Sequence, residues 1–335
     1  MSRFKRLAVI GGGAWGTALA ATLQRAGGEV TLWVREADIV ATINAHHENT
    51  LFLPGVALDP SIVAIGDLAV CAHAEAVLLV VPSQFLRSVA RALAAVLPER
   101  MPIVIATKGI EIGSGATMGE IVAAELPGRP WAVLSGPTFA IEVACGLPTA
   151  VTLAATDPIL GRDLVETIGT PSFRPYLGDD PIGCEIGGAV KNVLAIACGI
   201  VTGRGLGDNA RAALITRGLA EMVRLAVAKG GKPATLMGLS GLGDLVLTCT
   251  AMQSRNCSLG AALGSGQSLA AVLGARHSVA EGVATAAAVA ALAQRLGIDM
   301  PIVTAVDAIL HHGAAIDEAI RGLLGRPFKL EGLPA

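Results

Sequence analysis

Leu7-Ala8-Val9-Ile10-Gly11-Gly12-Gly13-Ala14-Trp15-Gly16-Thr17 decides how this chain begins to fold. Four apolar residues read as a buried strand, the G-x-G-x-x-G cluster Gly11 to Gly16 as a tight turn, and Trp15–Arg25 as a helix. In such a turn Gly11 permits the bend, Gly13 lets a ligand approach the backbone, and Gly16 lets helix and strand pack closely. The helix start offers unpaired N–H groups and the positive end of its dipole, which suits a pyrophosphate. A second strand follows on schedule at Val30–Val34, so the segment reads as the opening of a dinucleotide-binding unit, with Gly11, Gly13, Ala14 and Gly16 at the ligand.

Working outward, the same alternation continues. Ala76–Val81, Ile103–Ala106 and Trp131–Leu134 are apolar runs of strand length, separated by helical stretches at Gln84–Leu97 and Thr117–Glu125. Strands alternating with helices imply βαβ units and a parallel sheet, which Thr149–Ala155 and Phe173–Leu177 extend. From Ile182 onward the character changes to long Ala/Leu/Val stretches: Glu185–Val201, Ala210–Lys229, Gly282–Leu296, Thr304–His311 and Glu318–Leu324. The expectation is a Rossmann-like α/β domain with a mostly parallel sheet over residues 1–180, then an all-α domain over 181–335.

Composition narrows the rest. The 335 residues are 53% hydrophobic and 16% charged, which excludes a disordered chain. A net charge of −2 with scattered basic residues gives no field for nucleic acid. Mean hydropathy is +0.62, yet the best membrane candidate, Val193–Gly203, falls short of the ~20 residues a spanning helix needs and is flanked by Lys191 and Arg204. No stable membrane insertion is expected; an oligomer interface in the helical half, a homodimer, would absorb some apolar surface. The six cysteines are widely spaced and form no C-x-x-C, which suits free thiols in a reducing compartment. His46-His47 and His311-His312 are adjacent pairs whose side chains diverge, so no metal site is expected. The strand begins at once after Met1-Ser2-Arg3-Phe4-Lys5-Arg6, leaving no room for a signal peptide, and a cytoplasmic location follows as an expectation.

Other segments carry chemistry. At the end of the second strand, Trp33-Val34-Arg35-Glu36 offers Arg35 to a 2′-phosphate or Glu36 to the ribose hydroxyls; NADP is favoured, with NAD tolerated. Lys108, in Thr107-Lys108-Gly109, closes a strand of the same sheet and would face the ligand edge, although a strand-end lysine is commonly a surface residue. Ser135-Gly136-Pro137-Thr138 follows another strand; Gly136 allows close backbone approach, and Thr138 would serve at least as a helix cap. In the second half, Lys191 of Gly187-Gly188-Ala189-Val190-Lys191-Asn192 sits mid-helix among apolar residues, where an ammonium must snorkel out, find a partner, or lose its proton readily. Ser254-Arg255-Asn256 opens a helix with a phosphate-binding residue type, and Ser278 to Val283 places Glu281 in an apolar region; surface salt bridges are the plain alternatives for both.

Taken together, GGGAWGTALA, ATKGIE, LSGPTFA, GGAVKNVLAI, LSGLGDLVLTCT, SRNCSLG and VAEGVAT occur in an order that resembles the bacterial NAD(P)-dependent glycerol-3-phosphate dehydrogenases, from Gly11 to about Glu281. The resemblance implies hydride transfer between a nicotinamide cofactor and sn-glycerol 3-phosphate or dihydroxyacetone phosphate, a small phosphorylated substrate. It makes Lys191 the proton acceptor or donor. Arg255 and Asn256 would hold the substrate phosphate, Lys108 would touch both substrate and cofactor, and Gly136, Thr138, Asn192, Asp244 and Ser254 would line the substrate site. Trp15, Arg35, Ala140, Val279 and Glu281 would lie around the dinucleotide, which Arg255 would also approach. Two alternatives keep the same architecture: another β-hydroxyacid or ketopantoate-type dehydrogenase, and a dinucleotide sensor without turnover.

Overall fold

The structure is a computed structural model that describes residues 3–275 and 280–327. It divides into two compact units, Met1–Lys108 with Met118–Cys184, and Gly109–Thr117 with Glu185–Ala335. The short stretch Gly109–Thr117 therefore goes with the helical unit rather than with its neighbours in sequence.

The first unit is built on one eight-stranded sheet: β1 (Arg6–Ile10), β2 (Glu29–Trp33), β3 (Val63–Ile65), β4 (Ala76–Leu79), β5 (Ile103–Ile105), β6 (Trp131–Ser135), β7 (Thr149–Ala155) and β8 (Phe173–Gly178). The helices of this part of the chain are α1 (Ala14–Arg25), α2 (Ala37–His46), α3 (Leu86–Ala94), α4 (Met118–Glu125), α5 (Ala140–Ala144) and α6 (Pro158–Ile168). Strand order is β3-β2-β1-β4-β5-β6-β7-β8, parallel except for β7, which runs against β6 while pairing parallel with β8. β1 and β4 are buried along nearly their whole length, as expected for central strands of a parallel sheet covered on both faces. The order reverses direction between β1 and β4, the switch point where open α/β sheets bind ligands at the carboxyl ends of their strands. The α/β and all-α expectation holds. Differences in detail are local: Gln84–Leu97 splits into a 3-10 turn, Ser83–Phe85, and the shorter α3, while α2, β3 and α6 add elements where the sequence reading placed none.

From Pro181 onward the described chain is helical: α7 (Pro181–Gly203), α8 (Asp208–Ala228), α9 (Pro233–Leu236), α10 (Asp244–Thr250), α11 (Arg255–Gly264), α12 (Leu269–Gly274), α13 (Glu281–Leu296), α14 (Pro301–His311) and α15 (Ile316–Leu324). A π-helical turn over Leu239–Gly243 leads into α10. At 23 residues α7 is longer than the apolar run read from sequence, and its length and hydropathy would suit a membrane span. Its most apolar window is instead entirely buried within the protein, the behaviour of a core helix.

Candidate active site

Four ligand-type positions of the first unit stand just past the carboxyl ends of parallel strands, and hence along one sheet edge: Gly11 after β1, Arg35 after β2, Lys108 after β5 and Gly136 after β6. The three glycines of the motif are required for different reasons. Gly11 has φ +129°, and a Cβ there would lie 2.9 Å from the Val80 backbone; a Cβ on Gly16 would overlap the Gly11 carbonyl oxygen. Gly13 has φ −71°, which any residue adopts, and a Cβ there would meet nothing within 4 Å. Gly13 is thus the one glycine of the three that the protein's own packing does not demand. It is also the N-cap of α1 and supplies no side-chain cap, so the first-turn N–H groups beside Ala14 and Trp15 are left to an outside acceptor. An open backbone cradle at an uncapped helix start fits a dinucleotide pyrophosphate.

Arg35 and Glu36 are joined. The Arg35 guanidinium grips Glu36 Oε1 through Nε at 3.1 Å and Nη2 at 2.7 Å, while the Arg35 side chain stays 72% exposed. The carboxylate that could serve ribose hydroxyls is therefore held by the cation that could serve a 2′-phosphate.

Lys108 Nζ donates to the Gly136 carbonyl at 3.0 Å and to Thr138 Oγ1 at 3.4 Å, and Thr138 Oγ1 donates to the same carbonyl at 3.1 Å. Lys108 is thus drawn in over the end of β6. The Thr138 hydroxyl does not cap a helix: α5 starts at Ala140 behind Phe139, with no side-chain cap. Gly136 has φ +151° and sits against the Val151 backbone.

In the helical unit the lysine of α7 finds a partner. Lys191 is 6% exposed, and its Nζ donates to Asp244 Oδ1 at 2.5 Å and to Thr248 Oγ1 at 3.0 Å. Thr248 Oγ1 in turn donates to the Asp244 carbonyl at 2.6 Å, so its lone pairs face the ammonium. Asp244 is fully buried at the start of α10. A second cluster stands one residue along. Asn256 Nδ2 donates to Asn192 Oδ1 at 2.9 Å, and the Gly282 N–H donates to Asn256 Oδ1 at 3.1 Å, which ties α7, α11 and the start of α13 together. Ser254 is the N-cap of α11, its hydroxyl accepting the Cys257 N–H at 3.2 Å, and Arg255 follows, exposed, as the first helical residue. Glu281 opens α13; Val279 lies outside the described residues.

Thr248 and Gly282 belong beside these residues although the sequence reading passed over them. Thr248 stands four residues after Asp244, the spacing that shares a helix face. A Cβ on Gly282 would press on the Asn192 and Asn256 oxygens at 2.7 Å. Among the described residues no group of His, Cys, Asp and Glu could hold a metal.

A dinucleotide cradle on a doubly wound sheet, joined in one chain to a helical unit with a buried lysine–aspartate pair, defines the class of two-unit nicotinamide-dependent dehydrogenases. The chain belongs to the NAD-dependent glycerol-3-phosphate dehydrogenase family: residues 6–160 match its N-terminus and 180–321 its C-terminus. Curated relatives named glycerol-3-phosphate dehydrogenase [NAD(P)+] are 60% identical in Rhodospirillum rubrum, covering 97% of this chain and 94% of that one, and 57% identical in Caulobacter vibrioides, covering 98% and 99%. The crystal structure of glycerol-3-phosphate dehydrogenase from Coxiella burnetii matches with a TM-score of 0.93 at 44% identity, over 96% of this chain and 99% of that one. The protein is an NAD(P)-dependent oxidoreductase of this family.

Proposed function

We propose that the chain works chiefly in the reducing direction, converting dihydroxyacetone phosphate to sn-glycerol 3-phosphate with NADPH preferred over NADH, and so feeds glycerophospholipid synthesis. The observation that carries the proposal is the buried cluster of Lys191, Asp244 and Thr248. When bound, the nicotinamide supplies the hydride. Lys191 gives the proton to the substrate's C2 oxygen, or takes it back in the reverse direction. Asp244 and Thr248 direct two of its three N–H groups and hold the head group in place, as a proton donor in an apolar helix requires. Arg255 and Asn256, at the capped start of α11, hold the phosphate with Ser254 beside them; Lys108, Gly136, Thr138 and Asn192 complete the substrate contacts. Gly11, Gly13, Ala14, Trp15, Gly16, Arg35 and Ala140 receive the dinucleotide, with Lys108, Arg255, Val279 and Glu281.

The NADPH preference is supported by Arg35, a guanidinium that stays 72% exposed just past β2 while it bonds Glu36 through Nε and Nη2. A cytoplasmic setting is supported by six free cysteines, four of them fully buried. A homodimer is supported by the exposed apolar side chains Met237, Val246 and Met252 of the helical unit.

The test is the loss of reduced-dinucleotide absorbance on adding dihydroxyacetone phosphate, run separately with NADPH and NADH. Turnover with both, and a lower KM for NADPH, is expected. Turnover only with 2-oxo carboxylates would point to a ketopantoate-type enzyme, and tight dinucleotide binding with no turnover on any substrate would point to a sensor.

A further inference from the structure

Between α2 and β3 the chain makes a closed excursion. Glu48 bridges Ala57, and the Leu58 N–H donates to the His47 carbonyl at 2.7 Å. Leu53, Val56 and Leu58 seat this excursion in the core. Asn49, at its base, is fully buried yet polar, and its whole side chain is directed at the glycine turn and its own loop. Its Nδ2 donates to the Gly12 carbonyl and to Thr17 Oγ1, both at 2.8 Å, and its Oδ1 accepts the Phe52 N–H at 3.1 Å. One side chain thus fastens the turn between β1 and α1 at a peptide inside it and at a hydroxyl in the first turn of the helix.

A residue needed only to fill this space would be apolar like its neighbours, because a buried amide is costly unless its hydrogen bonds are made. Those bonds act on a peptide that matters. In a trans peptide the C=O and the following N–H point to opposite sides. Holding the Gly12 oxygen toward Asn49 therefore fixes the Gly13 N–H away from it, at the residue whose Cβ position opens into empty space.

We infer that Asn49 is a positioning residue for the cofactor: by clamping the Gly12 peptide it aims the Gly13 N–H and the first turn of α1 at the pyrophosphate. This rests on the reading that the Gly11 to Gly16 turn seats that pyrophosphate. Asn49→Asp preserves shape and can still accept from Phe52, but it has no hydrogen for Gly12 or Thr17 and places a negative charge beside the seat. Thr17→Val removes the helix arm of the clamp and the long 3.5 Å bond that the Thr17 hydroxyl gives the Gly12 carbonyl, and leaves the 2.8 Å bond from Asn49 to that carbonyl.

The experiment is titration of NADPH into each purified full-length variant, followed by dinucleotide fluorescence, with steady-state kinetics alongside. Asn49→Asp and Asn49→Ala should raise the Kd for NADPH about tenfold or more. The KM for dihydroxyacetone phosphate and kcat at saturating NADPH should stay within about twofold, as should the Kd of Thr17→Val, since the Gly12 bond survives there. A Kd unchanged in folded Asn49→Asp overturns the inference. So does a substrate KM rising in step with the Kd, or failure of both Asn49 variants to fold, since either would make Asn49 a general stability residue. Gly13→Val separates this from the reading beneath it: a side chain at that open position leaves the fold intact and blocks the ligand. Should Gly13→Val keep its NADPH affinity, the seat itself is misplaced. Should it lose affinity while Asn49→Asp keeps it, the assignment of Asn49 alone falls.

Discussion

Lys191 shows how much one buried charge demands of its surroundings. Val190, Val193, Leu194 and Ile196 around it on α7 are all fully buried, so the side chain has no route to water along its own helix. An unpaired ammonium there would be strongly unfavourable, and the fold answers with a carboxylate and a hydroxyl four residues apart on α10. Lys191→Ala removes the proposed proton donor and alters no residue of the first unit's cradle. The expected result is a loss of kcat of about 10²–10⁴-fold, the usual worth of a general acid–base group, with NADPH affinity unchanged in a fluorescence titration. Wild-type turnover in that variant would end the assignment. Arg255 is a different kind of residue: it is exposed and first in its helix, and in the role proposed for it the same phosphate would be met in ground and transition states. Arg255→Ala should therefore raise the KM for dihydroxyacetone phosphate more than it lowers kcat, and steady-state kinetics showing an unchanged KM would contradict its role as a phosphate clamp.

Between elements, the close crossing of α7 and α11 brings the lysine helix to the helix of Arg255 and Asn256. Gly199 and Gly203 on α7 meet Gly260 and Gly264 on α11 so closely that a Cβ on Gly199 would overlap the Cys257 carbonyl oxygen and one on Gly260 the Ile196 carbonyl oxygen. Gly199→Ala must push the two backbones apart, since carbonyls cannot swing aside as side chains do. A loss of about 1–3 kcal/mol of stability is expected, seen as a lower Tm, together with a raised substrate KM as the Asn192–Asn256 bond stretches. An unchanged Tm would show that the two helices separate at the crossing without cost. The sequence foretold α7 from a long Ala/Leu/Val stretch broken by glycines, and β1, β2 and β4 from runs bounded by glycine or proline. It foretold neither the crossing nor Thr248, because spacing along a chain reports which face a residue shares and not which helix lies opposite. β3 escaped notice because three residues, Val-Ala-Ile, are too few to show a period, and Asn49 because a lone asparagine in a loop has many ordinary uses. Lys191 was legible as an anomaly; its partners were not.

On the scale of the whole molecule, stability should carry the signature of a second buried charge, far from neutral in its demands. Glu221 on α8 is almost completely buried, and its oxygens accept the Ile302 N–H at 2.8 Å and the Val303 N–H at 3.2 Å, so it caps α14 from another helix just behind Pro301. Burial pushes its carboxyl up to about 7; the two N–H groups and Arg224 pull it down, and Asp299 adds to the rise. A carboxyl whose folded pKa lies above its unfolded value binds more protons in the fold than in the unfolded chain at any pH between the two. The contribution of Glu221 to the unfolding free energy therefore falls as pH rises from the ordinary glutamate range to about 7 and is level above it. The swing is roughly 3 kcal/mol. Glu221→Gln keeps the shape and cannot titrate, so subtracting its urea unfolding free energy from that of the unaltered protein isolates this one group. The difference should decline in favour of the variant between about pH 5 and about pH 7 and then stay constant. Circular dichroism is the signal to follow, because Trp15, Trp33 and Trp131 all lie in the first unit and tryptophan fluorescence would track that unit instead. If the two proteins ran parallel across the whole range, Glu221 would be ionised throughout, and its bonds to α14 would outweigh the cost of its burial.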